Sequence, residues 1–463
     1  MIRKKRVLIP ITILFSVRYI LRSKVIESLQ QFVEPVLLLN WQEEELEKEL
    51  NAKGVEFHYF PEAEFGRYFD YITKVNGYKY GRRIKSISTA IDKRRNRLLL
   101  ADNKQFARKK AINLLLNTIS YLVPQRGLRV LENRYIKKAT NLSANLDKLR
   151  QLNIDTVLTL TPFLKNEFLV LKSFAQLNVP IIYSVLSFDN LTTRGYLPVQ
   201  FDHFFVWNTL NKNEVLRIFG KDKKVDIVGP VQFDFYWDKN YCWDKTKWMK
   251  ELKINTERPI ILFGAGHYSI VPNEPDWLVD IDIAITNGEI VNNPLILFRK
   301  HPLDPWDRWN EILDQCKNVH VDNSGKAADD HLATKNITKY DIEKLCSTLQ
   351  WTDVHVNASS TLTLDGAIFS KPQIGPAYSV IDRQLSTVLK DLYYREHYLP
   401  ITQSGGVQIA YSKKELINYL NEALLDPGKY SKERKAMVDI YCEGEYGKSA
   451  VRLVNSLREA INA

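Results

Sequence analysis

At 463 residues, with 45% hydrophobic and 26% charged residues, the chain has the make-up of a folded globular protein and is too long for one ordinary core, so two or three domains are expected. Four cysteines, Cys242, Cys316, Cys346 and Cys442, stand far apart with no CxxC pair, which excludes a disulfide framework and a zinc-ribbon pattern and fits reduced thiols in a cytoplasmic protein. A net charge of +11 and a pI near 9.1 call for an anionic partner or surface.

Met1-Ile-Arg-Lys-Lys-Arg6 and the apolar run that follows imitate a secretion signal. The run is short, contains Pro10, lacks a small-x-small cleavage site and meets Arg18, so it reads as a first buried strand and its loop. No stretch approaches the roughly 20 apolar residues of a membrane-spanning helix. Strand signals at 6–12, 34–40 and 55–60 alternate with helix signals at 25–32 and 42–52, a rhythm that predicts a parallel sheet covered on both faces.

From 62 to about 141 the rhythm is lost and the segment reads as a helical, basic insertion. Between Arg82 and Lys110, eleven Lys or Arg stand against Asp92 and Asp102, a local excess of +9 that points at a polyanion or an anionic leaflet. Leu98 to Leu100, Phe106, Ala111, Ile112, Leu115, Ile119 and Leu122 form an apolar stripe beside Arg108, Lys109 and Lys110. That stripe reads as a core-facing helix with a solvated basic face, or as a membrane-surface helix.

The alternation resumes with strands at 156–160, 181–186, 203–207 and 225–228 and helices at 142–152, 164–176 and 211–219. Residues 1–238 are therefore expected to form one Rossmann-like domain, with 239–257 as a polar, tryptophan-rich linker. Residues 258–445 are expected to form a second such domain, and 446–463 a closing helix. Two α/β halves in series imply a cleft facing the strand ends of both, where open parallel sheets bind ligands.

In the second half, the turn Asn357-Ala-Ser359-Ser360-Thr361 follows a strand at 354–356 and opens a helix. Backbone N–H groups and hydroxyls gathered there suit a phosphate, although simple capping by Ser359 or Ser360 fits the same turn. Asp365, one helical turn after Thr361, either accepts from ribose hydroxyls or answers the helix dipole. Arg299-Lys300-His301-Pro302 ends a strand at 295–298, so two cations and an imidazole stand where an anion would bind; the plain alternative is a loop histidine. Gly264-Ala-Gly266-His267 permits close backbone approach to a ligand, but it is neither GxGxxG nor a Walker loop.

In the first half, Ser187-Phe-Asp189-Asn190-Leu-Thr192-Thr193-Arg194-Gly195 follows a strand end. Asp189 is the candidate general base and Asn190, Thr192 and Arg194 the candidate acceptor-binding residues, against an Asx-type turn without catalytic role. Asp280-Ile-Asp282 falls in an amphipathic helix and the eight histidines are scattered, so no metal or other cofactor is expected, nor is a serine-hydrolase elbow present.

Arg299-Lys300-His301-Pro302, the Asn357–Thr361 turn with Asp365 and Lys371-Pro372, the Ser187–Gly195 segment, Val206-Trp207-Asn208 and Val228-Gly229-Pro230 together resemble the GT-B glycosyltransferases. The branch in question includes CDP-glycerol glycerophosphotransferases and related capsule or surface-polysaccharide enzymes, and the likeness spans roughly 180–378. The resemblance implies two Rossmann-like domains with parallel sheets facing across a cleft, the donor held by the C-terminal half and the acceptor by the N-terminal half. His301 and Ser359-Ser360-Thr361 would then contact donor phosphates and Asp365 the ribose, the leaving diphosphate being met by side chains and helix dipoles in place of a metal. Asn357-Ala358 departs from the glycerophosphotransferase pattern, in which an acidic residue is common.

The expected function is transfer of a sugar from a nucleotide-sugar donor to a glycan or lipid-linked glycan of the cell surface, with inversion, Asp189 taking the acceptor proton. Polyol-phosphate transfer from CDP-glycerol, nucleotide-sugar epimerisation and polyanion binding without activity are the alternatives. No nucleic-acid partner is expected. The expected place is the cytoplasm, with peripheral attachment to an anionic membrane surface through the basic segment.

Overall fold

Val7-Leu8-Ile9-Pro10-Ile11 is apolar at every position because the strand it forms is covered on both faces: Val7, Ile9 and Ile11 enter one core layer and Leu8 the other. The computed structural model describes residues 3–61, 65–99, 104–139, 142–194, 196–302, 304–322, 337–379 and 383–462. Strands β1 (Lys5–Ile11), β2 (Val33–Leu39), β3 (Glu56–Tyr59), β4 (Thr156–Thr159), β5 (Ile181–Ser184), β6 (His203–Val206) and β7 (Lys224–Ile227) form one parallel sheet in the order β3-β2-β1-β4-β5-β6-β7. The ladder between β1 and β4 covers only Val7 and Leu8, so Pro10, which has no N–H to donate, lies past it.

One face of this sheet is covered by helices Leu14–Leu21, Val25–Gln30 and Ser449–Asn462, the last contributing Leu453, Val454 and Leu457. The opposite face packs on Val170, Leu171 and Phe174 of helix Lys165–Gln176 and on Val215 and Ile218 of helix Thr209–Phe219. The chain thus forms two units, Met1–Gln232 with Lys448–Ala463, and Phe233–Gly447. The stretch 239–257, expected as a linker, holds a short 3-10 turn and helix Lys245–Leu252 within the second unit.

Between β3 and β4 run helices Arg67–Ile84, Ile87–Leu99, Lys104–Leu122, Gln125–Ala139 and Leu142–Gln151. They have their own small core of Val75, Leu116 and Leu128 with Ile112, Ile119 and Val123. Helix Lys104–Leu122 thus packs Ile112, Leu116 and Ile119 on that core: Ile112 and Ile119 belong to the predicted stripe, whereas Leu116 replaces Leu115, which is 60% exposed, and Leu122 is 75% exposed. Of the basic run, residues 100–103 and the side chains of 96–99 and 104–110 lie outside the described residues. A buried ion pair, Glu132 with Lys172 at 2.6 Å, ties helix Gln125–Ala139 to helix Lys165–Gln176 beside the sheet.

In the second unit, β8 (Ile260–Gly264), β9 (Leu295–Arg299), β10 (Val319–Val321), β11 (Val354–Asn357), β12 (Gln373–Pro376) and β13 (Val407–Ala410) form a parallel sheet in the order β10-β9-β8-β11-β12-β13. The strand order reverses between β8 and β11, which makes the crevice at their C-terminal ends the natural ligand position. Behind β11 lies a buried set of polar side chains. His355 meets Thr352 Oγ1 at 2.8 Å and Gln373 Nε2 at 3.2 Å; Thr363 Oγ1 donates to Asn357 Oδ1 at 2.8 Å and meets Tyr398 Oη at 2.8 Å. These bonds fasten the strand and the following helix Leu362–Ile368 to the sheet.

Gly366 in that helix has no side chain because a Cβ there would overlap His355 and Gln373. Gly366→Ala is expected to cost about 1–3 kcal/mol, read from urea unfolding. Burial, with Lys371 nearby, lowers the His355 imidazole to about 3. The unfolded ring takes its proton near 6.5 and the folded ring does not until about 3, so stability from the neutral ring is lost as pH falls from 6.5 toward 3. Its slope is at most about 1.4 kcal/mol per pH unit. Urea midpoints of wild type and His355→Gln between pH 7 and 4.5 check this: the stability difference between them should shrink as pH falls, and a constant difference would contradict it.

Candidate active site

Register brings three loops to one place. Gly264 at the end of β8 pairs with Asn357 of β11 on one side and Arg299 of β9 on the other, so the segments beginning at Ala265, Lys300 and Ala358 leave the sheet side by side. Gly264, Gly266, Arg299, Lys300, His301, Ser359, Ser360 and Thr361 all lie on these strand ends or loops.

The first loop is anchored from below. Gly266 N–H donates to both oxygens of Glu274, at 2.8 and 2.9 Å. Glu274 is 1% exposed, and burial pushes its carboxyl up to about 8, while the Gly266 N–H and Arg308 pull it down. The space above Gly264 is filled by Leu362, so this glycine serves the approach of helix to strand.

The second loop is held by Asp304, a buried carboxylate that accepts from Tyr268 N–H at 2.8 Å, Trp309 Nε1 at 2.7 Å and Arg308 Nη1 at 2.8 Å. Lys300 folds back to donate to the carbonyls of His301, at 2.9 Å, and Asp304. Arg299 turns to the end of β10, pairing with buried Asp322 at 2.9 Å; Lys344 holds the other oxygen of Asp322 at 2.8 Å. His301 is half-buried and stands edge-on to His267, ring centres 5.6 Å apart. Burial, then the proximity of His267, lowers His301 to about 4, so the ring is neutral at pH 7.

The third loop carries backbone strain. Ser359 has φ of +48°, in the left-handed region that favours glycine. It is held there by its Oγ donating to the Leu392 carbonyl at 3.0 Å, beside Tyr393, whose Oη donates to the Pro376 carbonyl at 2.9 Å. Ser360 Oγ accepts from Leu362 N–H at 3.2 Å, leaving Thr361 exposed at the start of the helix. Asp365 is 7% exposed, buried one turn further on.

Of the first-half residues, Asp189 is half-buried at the start of helix Asn190–Thr193. Its carboxylate accepts from Thr193 Oγ1 at 2.9 Å and Asn190 Nδ2 at 3.3 Å. Asn190 is buried and its Oδ1 accepts from Ser187 N–H, three residues back along the chain, at 3.1 Å; Thr192 is fully buried. Arg194 is exposed over the Phe163 ring, 5.2 Å from its centre. The structure thus keeps Asp189 and Arg194 at the surface of the turn and builds Asn190 and Thr192 into it.

Sequence reasoning missed Glu274, Asp304 and Arg308, whose pairing across the loops no local motif announces, and passed over His267 within a stretch it had singled out. It also missed Glu167, fully buried where β1 and β4 diverge. Glu167 accepts from the hydroxyls of Thr12, Thr159 and Thr161, and burial pushes its carboxyl up. Among the described residues no cluster of three or more His, Cys, Asp or Glu is placed to hold a metal ion, and no helix is long and apolar enough to cross a membrane.

The family described as CDP-Glycerol:Poly(glycerophosphate) glycerophosphotransferase matches residues 190–459. Comparison with curated proteins gives no match. Among solved structures, UDP-GlcNAc 2-epimerase from Neisseria meningitidis bound to UDP-GlcNAc is similar at 13% identity and a TM-score of 0.54, covering 98% of this chain and 100% of that one. The wall teichoic acid polymerase TagF with CDPG is similar at 11% identity and a TM-score of 0.50, with 99% and 89% covered. A glycosyltransferase from Rickettsia africae is similar at 8% identity and a TM-score of 0.51, with 100% and 99% covered. At such identities the likeness is one of fold, two Rossmann-like domains of the GT-B kind. With more than half of its length matched, the chain belongs to the CDP-glycerol:poly(glycerophosphate) glycerophosphotransferase family and is a GT-B transferase.

Proposed function

We propose that the strand-order reversal of the second unit binds the diphosphate of a nucleotide-activated donor, whose activated group the chain transfers to a hydroxyl of a surface polysaccharide or glycan. The observation that carries this reading is the convergence of three loops at the ends of β8, β9 and β11, with neutral His301 beside His267 and the Ser360-Thr361 turn next to them. A neutral imidazole retains one N–H to donate to a leaving phosphate oxygen, and the hydroxyls of Ser360 and Thr361 supply further donors. Asp189 is the proposed base that removes the acceptor proton, with Arg194 beside it for the acceptor.

Two donors suit this chemistry. Family membership favours a CDP-linked polyol phosphate, in which the acceptor hydroxyl attacks phosphorus and CMP departs. The neutral Asn357, its amide oxygen held by Thr363, favours the second reading, a nucleotide sugar. There the hydroxyl attacks the anomeric carbon, the configuration inverts and a nucleoside diphosphate departs. Mass spectrometry of products from a donor panel separates the two: CMP release supports the first and nucleoside diphosphate release the second, while an isomerised intact donor would overturn transfer altogether.

His301→Ala is expected to lower kcat by about 100-fold or more, while Asp189→Asn loses turnover with the donor dissociation constant unchanged. Unaltered turnover in either variant removes that residue from its role. Because side chains are proposed to meet the leaving charge, activity in EDTA should equal activity without it; a loss restored by magnesium would assign that charge to a metal. Peripheral attachment to an anionic leaflet is proposed through the helical insertion, where Leu114, Leu115, Tyr121 and Leu122 are 67%, 60%, 66% and 75% exposed and where Lys93 and Arg94 of another helix are exposed as well. Flotation with anionic liposomes at low salt should carry the protein upward, and failure to float would reject the attachment.

A further inference from the structure

The first unit contains a concavity that the transferase reading does not use. A cavity of about 560 Å³ lies between helix Arg67–Ile84, the beginning of helix Gln125–Ala139, the segment 196–201 and β6. Its residues Phe201, Asp222 and Lys223 just precede β6 and β7, so it is set toward the starts of those strands, whereas Asp189 follows the end of β5. The volume falls within the roughly 300–1,000 Å³ of small-ligand sites.

Its wall is aromatic. The Phe204 and Phe219 rings are 4.9 Å apart, Phe201 is 5.6 Å from Phe204, and Tyr80 is 6.5 Å from Phe219. Its polar lining is cationic: Lys79, Arg83, Arg129 and Lys223 against the single acid Asp222. Among the described residues none of these four cations is ion-paired, whereas the neighbouring Arg82 is consumed by Asn117, the Ser120 carbonyl and the Tyr121 ring. Like charges gathered around one concavity repel one another, and a bound anion relieves that repulsion.

Asn76 adds an independent sign. It lines the cavity and is fully buried, its Oδ1 accepts from Gln125 Nε2 at 3.1 Å, and its Nδ2 has no partner. Whichever way the amide is turned, one polar end is left unmet unless a ligand answers it.

We propose that this cavity is a second binding site, for a phosphate ester with an apolar or aromatic body. The phosphate lies among Lys79, Arg83, Arg129 and Lys223, the body lies along the rings, and the Asn76 amide meets the polar linkage between them. The assignment stands apart from the donor site in the second unit and does not depend on the identity of the transferred group.

Calorimetric titration of the full chain with dodecyl phosphate, phenyl phosphate and inorganic phosphate tests it. At least one ester should bind about tenfold or more tightly than inorganic phosphate, since the ring wall adds apolar contact. Dodecyl phosphate binding the tighter identifies a lipid-like body, and phenyl phosphate the tighter an aromatic one. Arg83→Gln/Arg129→Gln should weaken ester binding about tenfold or more, and so should Lys79→Gln/Lys223→Gln. Val199→Trp, which fills the wall without altering charge, should weaken it as well, while His301→Ala leaves it unchanged. Circular dichroism checks that each variant is folded, and the ester-to-phosphate ratio in wild type stands independently of any variant. Esters that do not bind at millimolar concentration, esters no tighter than inorganic phosphate, or ester binding that survives both charge pairs and Val199→Trp would each overturn the site.

Discussion

Helix Leu362–Ile368 can start where it does only because Gly264 has no side chain at the point where Leu362 crosses the end of β8. That approach sets the height of the Ser359-Ser360-Thr361 turn above the sheet, next to the loops that leave β8 and β9. From beneath, the Asn357–Thr363–Tyr398 bonds and the His355–Gln373 contact fix the same helix, so the turn is positioned from two sides by groups that themselves face no solvent. The left-handed backbone of Ser359 persists within this frame because the Leu392 carbonyl holds its side chain.

The charged groups described at these loops are spent on architecture. Arg299 and Lys344 share Asp322, Arg308 bridges Asp304 and Glu274, and Lys300 caps its own loop. His301 stands edge-on to His267, whose Nδ1 meets Ser269 Oγ at 2.8 Å, and burial keeps His301 uncharged. An uncharged imidazole can orient a hydrogen bond toward a phosphate without competing with its neighbours for a carboxylate.

Much of this was legible along the chain because parallel strands buried on both faces leave uninterrupted apolar runs, as in β1, β8 and β9, and because turns follow directly from them. The three loops were found for the same reason: each begins where such a run stops. What could not be read depended on partners distant in sequence. Arg299 meets Asp322 across a strand, Glu274 meets Gly266 and Arg308 from separate elements, and neither pairing leaves a local pattern. Helix Lys104–Leu122 is rich enough in apolar residues that two adjacent rows compete; packing against Val75 and Leu128 selects the row through Leu116. Asn190 and Thr192 have the residue types of a binding loop, but a four-residue helix needs those same groups to close its own turn.

The helix Ser449–Asn462 supplies Leu453, Val454 and Leu457 to the core beneath β1, whereas the second unit is one uninterrupted stretch from Phe233 to Gly447. On a ribosome the order of emergence is therefore not the order of completion. The later unit has all of its sequence available first, while the earlier one keeps part of an apolar layer uncovered until helix Ser449–Asn462 has emerged behind it. A delay in that interval leaves a sticky surface open to chaperones or to aggregation, although the strands it belongs to were made long before.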